Sequence, residues 1–72
     1  MGKPTKVTNR INELRSEHGL TQGELAARVG VTRQTVNAIE QSKYSPSLEV
    51  AFLIARVFEE PLEAVFSYAE DG

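Results

Sequence analysis

Residues 22–41 read QGELAARVGVTRQTVNAIEQ, and the spacing of large, small and polar side chains in this stretch decides the architecture. Leu25, Val29, Val31, Val36 and Ile39 supply apolar side chains where two short helices press together, while Ala26 and Gly30 are small where they must be. Helices joined by a three- or four-residue turn cross closely, so a bulky side chain at Ala26 would push the second helix off the first. Gly30 takes the positive φ of the turn without a Cβ clash. The boundaries carry their own signals. Thr21 followed three residues later by Glu24 is a capping box for the first of these helices, and Thr32 caps the second.

Outward from this pair, three more helices are expected. On the N-terminal side, Val7, Ile11 and Leu14 fall on one face, with Thr8 as N-cap and Gly19 as the left-handed stop, which predicts a helix over about 8–18. On the C-terminal side, the loop Ser42-Lys43-Tyr44-Ser45-Pro46 interrupts the pattern. Ser47 then caps a fourth helix whose Leu48, Ala51, Phe52, Ile54, Ala55 and Phe58 make it the most apolar segment and the expected centre of the core. Pro61 suits the start of a short fifth helix with Leu62, Val65 and Phe66 on its apolar face. No stretch alternates apolar and polar residues long enough to predict a sheet. The fold class expected is all-α: a compact five-helix domain over 8–67, with a flexible arm at 1–7 and a tail at 68–72.

Seventy-two residues make one domain, near the lower size at which packing alone sustains a fold. With no cysteine there is neither a disulfide framework nor a thiolate metal site. His18 is the sole histidine, beside Gly19 at a helix end, where it is expected to meet the helix C-terminus rather than a metal. No serine can be given a histidine and an acid partner, and no glycine-rich loop follows a strand, so no catalytic constellation is found and no cofactor is expected. Neither a secretory signal nor a membrane-length apolar run is present, so a cytoplasmic protein with no membrane partner is expected. The net charge of −2 hides a division: residues 1–44 carry seven basic against four acidic side chains, whereas residues 45–72 carry one against six. One half is suited to face phosphates and the other to turn away from them.

Residues 10–66 resemble the Cro/C1-type, or Xre-type, helix-turn-helix family of phage repressors and small prokaryotic regulators. The likeness is carried by Arg15, Gly19-Leu20-Thr21-Gln22-Gly23-Glu24-Leu25-Ala26, Gly30-Val31-Thr32-Arg33-Gln34-Thr35-Val36, Ile39-Glu40-Gln41-Ser42-Lys43, Pro46-Ser47-Leu48 and Pro61-Leu62-Glu63-Ala64-Val65-Phe66. The resemblance implies a lambda-repressor-like five-helix domain, usually dimeric, that binds palindromic double-stranded DNA. This chain departs from the family pattern after Glu40, where Gln41-Ser42 stands in place of the frequent Asn-Gly. The left-handed turn therefore falls to Ser42 or is reshaped. Gly23 also replaces a bulkier residue at a cost in helix propensity.

Within that frame, Arg33, Gln34 and Asn37 on the outer face of the third helix are the expected base readers. Arginine can bridge guanine O6 and N7, and glutamine or asparagine can bridge adenine N6 and N7. Thr35 is expected at a thymine methyl or a phosphate. The resemblance gives Gln22 a phosphate contact and a role in buttressing the first reader, while Thr21 and Thr32 cap helices and can meet phosphates. Lys43 and Tyr44 are expected backbone clamps, with Arg10 a weaker one. Arg15 and Glu40 are implied to form a structural ion pair. Phe58, Leu62, Phe66 and Tyr68 are expected at a homodimer contact, since so short a chain cannot enclose every aromatic side chain. The function implied is a sequence-specific DNA-binding transcriptional regulator, expected to act as a repressor on a palindromic operator. The alternative is an antitoxin or adaptor of the same fold whose partner is a protein such as a toxin.

Overall fold

The computed structural model describes residues 5–69. The chain runs β1 (Val7–Asn9), α1 (Ile11–His18), α2 (Gln22–Val29), α3 (Arg33–Glu40), α4 (Leu48–Val57), α5 (Leu62–Val65) and β2 (Phe66–Tyr68). Five helices appear in the order that the apolar spacing predicts. The two strands are additions: β1 and β2 pair antiparallel with Val7 opposite Tyr68, Thr8 opposite Ser67 and Asn9 opposite Phe66. Three residues are too few for a period of two to be recognised in sequence. The sheet takes in Val7 from the segment read as an arm and Tyr68 from the segment read as a tail. The remainder of both segments, residues 1–4 and 70–72, lies outside the described residues.

The first helix is shorter than expected, and Thr8 is not its cap. Thr8 belongs to β1 and the N-cap position falls to Arg10, which makes no side-chain cap bond; Asn9, just before it, takes the Ile11 amide instead, its Oδ1 accepting at 3.1 Å. Its Nδ2 meanwhile donates to the Ile39 carbonyl at 2.8 Å, so one side chain closes the start of α1 and the end of α3. The other caps follow their sequence signals. Thr21 Oγ1 accepts from the Glu24 amide at 3.0 Å and Glu24 returns a carboxylate to the Thr21 amide at 2.9 Å. Thr32 and Ser47 accept from the amides of Thr35 and Val50 at 3.1 and 3.2 Å. Each bond satisfies an amide that helix geometry leaves without an internal partner, worth about 1 kcal/mol.

Gly30 ends α2 at φ +88°, the left-handed turn that lets α3 fold back across α2. After α3 the same turn is made by Ser42 at φ +57°, with the Lys43 amide reaching the Ala38 carbonyl at 3.0 Å. Serine therefore accepts the conformation that a glycine would take at less cost.

Ile11, Leu14, Leu25, Ala26, Val29, Val36, Ile39, Ile54, Ala55, Phe58 and Val65 form one core drawn from all five helices. Phe58, expected at a subunit contact, is instead enclosed within the monomer at 1 % exposure, its ring centroid 5.2 Å from that of His18. Leu48 and Phe52 depart from expectation in the other direction, lying 68 % and 49 % exposed. The Ala51, Ile54, Ala55 and Phe58 side of this segment faces inward, with Val50 and Val57 packed at its margin. His18 lies at the end of α1, its Nδ1 2.9 Å from the Leu14 carbonyl oxygen. Among the described residues, no helix is long and apolar enough to cross a membrane.

Candidate nucleic-acid interface

The inner face of α3 is fixed by Val36 and Ile39, both fully buried, which turns Arg33, Gln34 and Asn37 to the outside. Arg33 and Gln34 occupy the first turn, immediately after the Thr32 cap. Among the described residues, no hydrogen bond or ion pair engages the side chains of Arg33, Gln34, Lys43 or Tyr44. The aliphatic stem of Arg33 runs beside the start of α2, where a Cβ on Gly23 would lie 4.0 Å from its Cδ. Thr35 is half-buried, its hydroxyl 3.0 Å from that of Thr32. Lys43 and Tyr44 follow the Ser42 turn and are exposed. Arg10 is otherwise engaged, with its Nε 3.1 Å from Glu13 and its Nη1 donating to the Ala64 carbonyl at 3.2 Å.

Glu40 is the sole acidic residue of α3, and its charge is neutralised on the inner side. Arg15 donates through Nε to one carboxylate oxygen at 2.7 Å and through Nη2 to the other at 3.2 Å, a two-pronged ion pair between α1 and the end of α3. The two side chains retain 15 % and 7 % of their exposure, so water screens them little. Burial pushes the Glu40 carboxyl up. Hydrogen bonds from Arg15, Gln22 and Asn12, with the Arg15 charge, outweigh it and hold the group below the ordinary carboxylate value. Arg15 also donates to the Leu20 carbonyl at 3.0 Å, holding the turn that leads into α2.

Gln22 does not lean on Arg33. Its Nε2 donates to Glu40 Oε1 and to Asn37 Oδ1, both at 3.1 Å. Gln41 Nε2 donates to the same Asn37 oxygen at 3.1 Å. A continuous chain of polar side chains thus runs from Arg15 through Glu40 and Gln22 to Asn37 on the outer face. Helix spacing puts Asn37 and Gln41 one turn apart and so makes that pair readable in sequence. The link across from α2 depends on the crossing of two helices. Asn9, Asn12 and Gln41 are polar residues whose roles the sequence pattern did not single out.

The outer surface of α3 therefore offers a cation and the amides of Gln34 and Asn37, with Gln41 and Lys43 just beyond its end and no unneutralised carboxylate on the helix itself. These groups fit base edges and phosphate oxygens. The acidic side chains Glu49, Glu59, Glu60 and Glu63 lie on α4, α5 and the turn between them.

Comparisons with known proteins agree with this geometry. A family model described as helix-turn-helix matches residues 11–65. An uncharacterized HTH-type transcriptional regulator of Methanothermobacter thermautotrophicus is 57 % identical over 63 residues, covering 86 % of this chain and 91 % of that protein. One from Methanocaldococcus jannaschii is 48 % identical over 65 residues, covering 90 % and 98 %. Another, from Bacillus subtilis, is 46 % identical over 66 residues, covering 92 % and 100 %. A crystal structure from Bacteroides fragilis, described as that of a candidate DNA-binding protein, superposes with a TM-score of 0.76. It covers 85 % of this chain and 98 % of its own at 23 % identity, a likeness of fold.

Proposed function

Since this chain belongs to the Cro/C1-type helix-turn-helix family, we propose that it regulates transcription by inserting α3 into the major groove of double-stranded DNA. The observation that carries this reading is the outer face of α3. Among the described residues, Arg33 and Gln34 stand unpaired in its first turn and no free carboxylate opposes them. Arg33 is assigned to a guanine through O6 and N7, and Gln34 to an adenine through N6 and N7. Asn37, one turn on, reads a neighbouring base, and Thr35 is assigned to a phosphate or a thymine methyl. Thr21, Gln22 and Thr32 lie at the starts of α2 and α3, where helix dipoles and first-turn amides favour phosphate oxygens. Lys43 and Tyr44 clamp the backbone beyond the end of α3 and set register rather than sequence.

The protein acts as a homodimer on a palindrome, with two copies of α3 about 34 Å apart in successive major grooves. Leu62, Phe66 and Tyr68 are the residues assigned to the subunit contact. With Val7 and Leu48 they line two adjoining shallow apolar hollows. Phe58 takes no part, being enclosed in its own core. Occupancy of a promoter by such a dimer represses by exclusion of other proteins.

The test is selection from random duplex DNA with the wild type, Arg33→Ala and Gln34→Ala. Each substitution is expected to erase preference at its own position and weaken binding by about 1–3 kcal/mol. Failure to enrich any sequence sinks the regulator reading. Enrichment that neither substitution alters removes these two residues from base recognition.

A further inference from the structure

We infer that Asn37 reads its base as a hydrogen-bond donor only, and that Glu40, acting through Gln22, sets this polarity from the interior. The inference rests on the placement of α3 in the major groove proposed above. It begins at two groups whose hydrogen-bonding sense is beyond choice: a guanidinium only donates and an ionised carboxylate only accepts. Glu40, held ionised by Arg15 at 2.7 Å, requires a donor from Gln22, so the Gln22 amide must turn its nitrogen and not its oxygen toward the carboxylate. That nitrogen has a second hydrogen, directed at Asn37 3.1 Å away, and Asn37 must therefore meet it with its oxygen. Gln41 donates to the same oxygen at 3.1 Å, which uses its second lone pair.

What remains of Asn37 is its Nδ2 with two unspent hydrogens, on a side chain exposed at the outer face of α3. A free asparagine matches adenine by pairing its oxygen with N6–H and its nitrogen with N7. Here that oxygen is committed, and the match is lost. Guanine presents two acceptors, N7 and O6, and suits an amide that offers only hydrogens. Thymine offers one acceptor, and cytosine opposes donor with donor. Asn37 is thus a reader whose preference differs from the one its residue type suggests, and Gln22 and Glu40 are positioning residues for it.

The experiment is selection from random duplexes with the wild type, Asn37→Ala, Asn37→Asp and Gln22→Met, each variant first shown by circular dichroism to be folded. The position read by Asn37 is the one at which Asn37→Ala abolishes preference. The wild type is expected to favour guanine there by about tenfold over adenine and cytosine, the scale of one hydrogen bond made against one opposed. Asn37→Asp, which turns an acceptor outward, is expected to move the preference to cytosine. Gln22→Met removes the donor tied to Glu40 and leaves Asn37 held only by the exposed Gln41, whose amide can turn over with it; it is expected to admit adenine at that position while the preferences that depend on Arg33 and Gln34 persist, an effect that a merely structural glutamine would not have.

Adenine or cytosine at the Asn37 position in the wild type, or no position dependent on Asn37, overturns the inference. Guanine retained undiminished by Gln22→Met removes the relay. If sequences are enriched through Arg33 and Gln34 but adenine stands at the Asn37 position, this inference falls alone. If nothing is enriched, the major-groove reading falls with it.

Discussion

Replacing Glu40 with alanine strands the Arg15 guanidinium at the junction of α1 and α3. Arg15 loses bonds of 2.7 and 3.2 Å and keeps the one to the Leu20 carbonyl at 3.0 Å. Leaving one member of a buried pair unpaired costs about 3–5 kcal/mol. The surviving bond and the 15 % exposure of Arg15 place this case near the lower end, at ~3 kcal/mol. A chain of 72 residues holds only about 4–11 kcal/mol in all. At ~4–8 °C for each kcal/mol in a domain of this size, Glu40→Ala should lower Tm by roughly 12–24 °C. It should also weaken DNA binding, because Gln22 and Asn37 lose their anchor. The assay is thermal and urea unfolding at neutral pH, beside a binding titration performed well below the variant's Tm. A loss under ~0.5 kcal/mol, the range of ordinary surface substitutions, would refute the assignment of the pair to structure. Replacing both partners, as in Arg15→Met with Glu40→Leu, should recover most of the loss, since an apolar pair leaves no buried charge.

The Glu40 carboxyl is held below its ordinary 4.5 in the folded protein, so its contribution is complete above about that pH and disappears as pH falls through the lower folded value. Unfolding followed from pH 7 to 3 should therefore show a steeper acid loss in the wild type than in Glu40→Gln, and equal slopes would contradict this. Ser42→Gly relieves a left-handed serine at φ +57° and should stabilise by about 1 kcal/mol without altering DNA binding; an unchanged or lower Tm argues against strain there. Gly23→Ala places a methyl no closer than 3.9 Å to Thr21 Oγ1 and 4.0 Å to Arg33, so a gain of about 0.5–1 kcal/mol from reduced backbone entropy is expected in chemical denaturation. Tyr68→Glu alters a side chain 68 % exposed in the monomer and should weaken self-association in sedimentation equilibrium by about tenfold or more while leaving the monomer folded.

Much of this architecture was legible because short helices advertise their ends. The Thr21 and Glu24 box, the Thr32 and Ser47 caps and Gly30 each announce a boundary through local hydrogen bonding or a required dihedral angle, and all stand in the structure. Thr8 misled because its type suits a cap, whereas Asn9 holds the better position, bonding both the Ile11 amide and the Ile39 carbonyl. The sheet was illegible since its pairing joins residues some sixty positions apart and each strand is only three residues long. Phe58 and Phe52 show that apolarity alone does not assign an aromatic residue to core or surface. Of the two on α4 and its end, Phe58 is enclosed beside His18 at 1 % exposure while Phe52 stays 49 % exposed.

At the interface, exposure of Arg33, Gln34 and Asn37 followed from the burial of Val36 and Ile39, and so could be read from helical spacing. The hydrogen-bonding sense of Asn37 could not. It is imposed by Glu40 through Gln22, a residue on another helix, and emerges only once α2 and α3 are crossed. Residue type therefore supplied the chemistry that α3 can offer, and tertiary geometry selected which part of it is left to spend.

The central claim, that α3 occupies the major groove, is tested most directly by dimethyl sulfate footprinting on a selected duplex. The reagent modifies guanine N7 in the major groove and adenine N3 in the minor groove. The account requires two clusters of protected guanine N7 separated by about 10 base pairs, with Arg33→Ala removing protection symmetrically from both. Protection confined to adenine N3 on a duplex shown to be bound would contradict it.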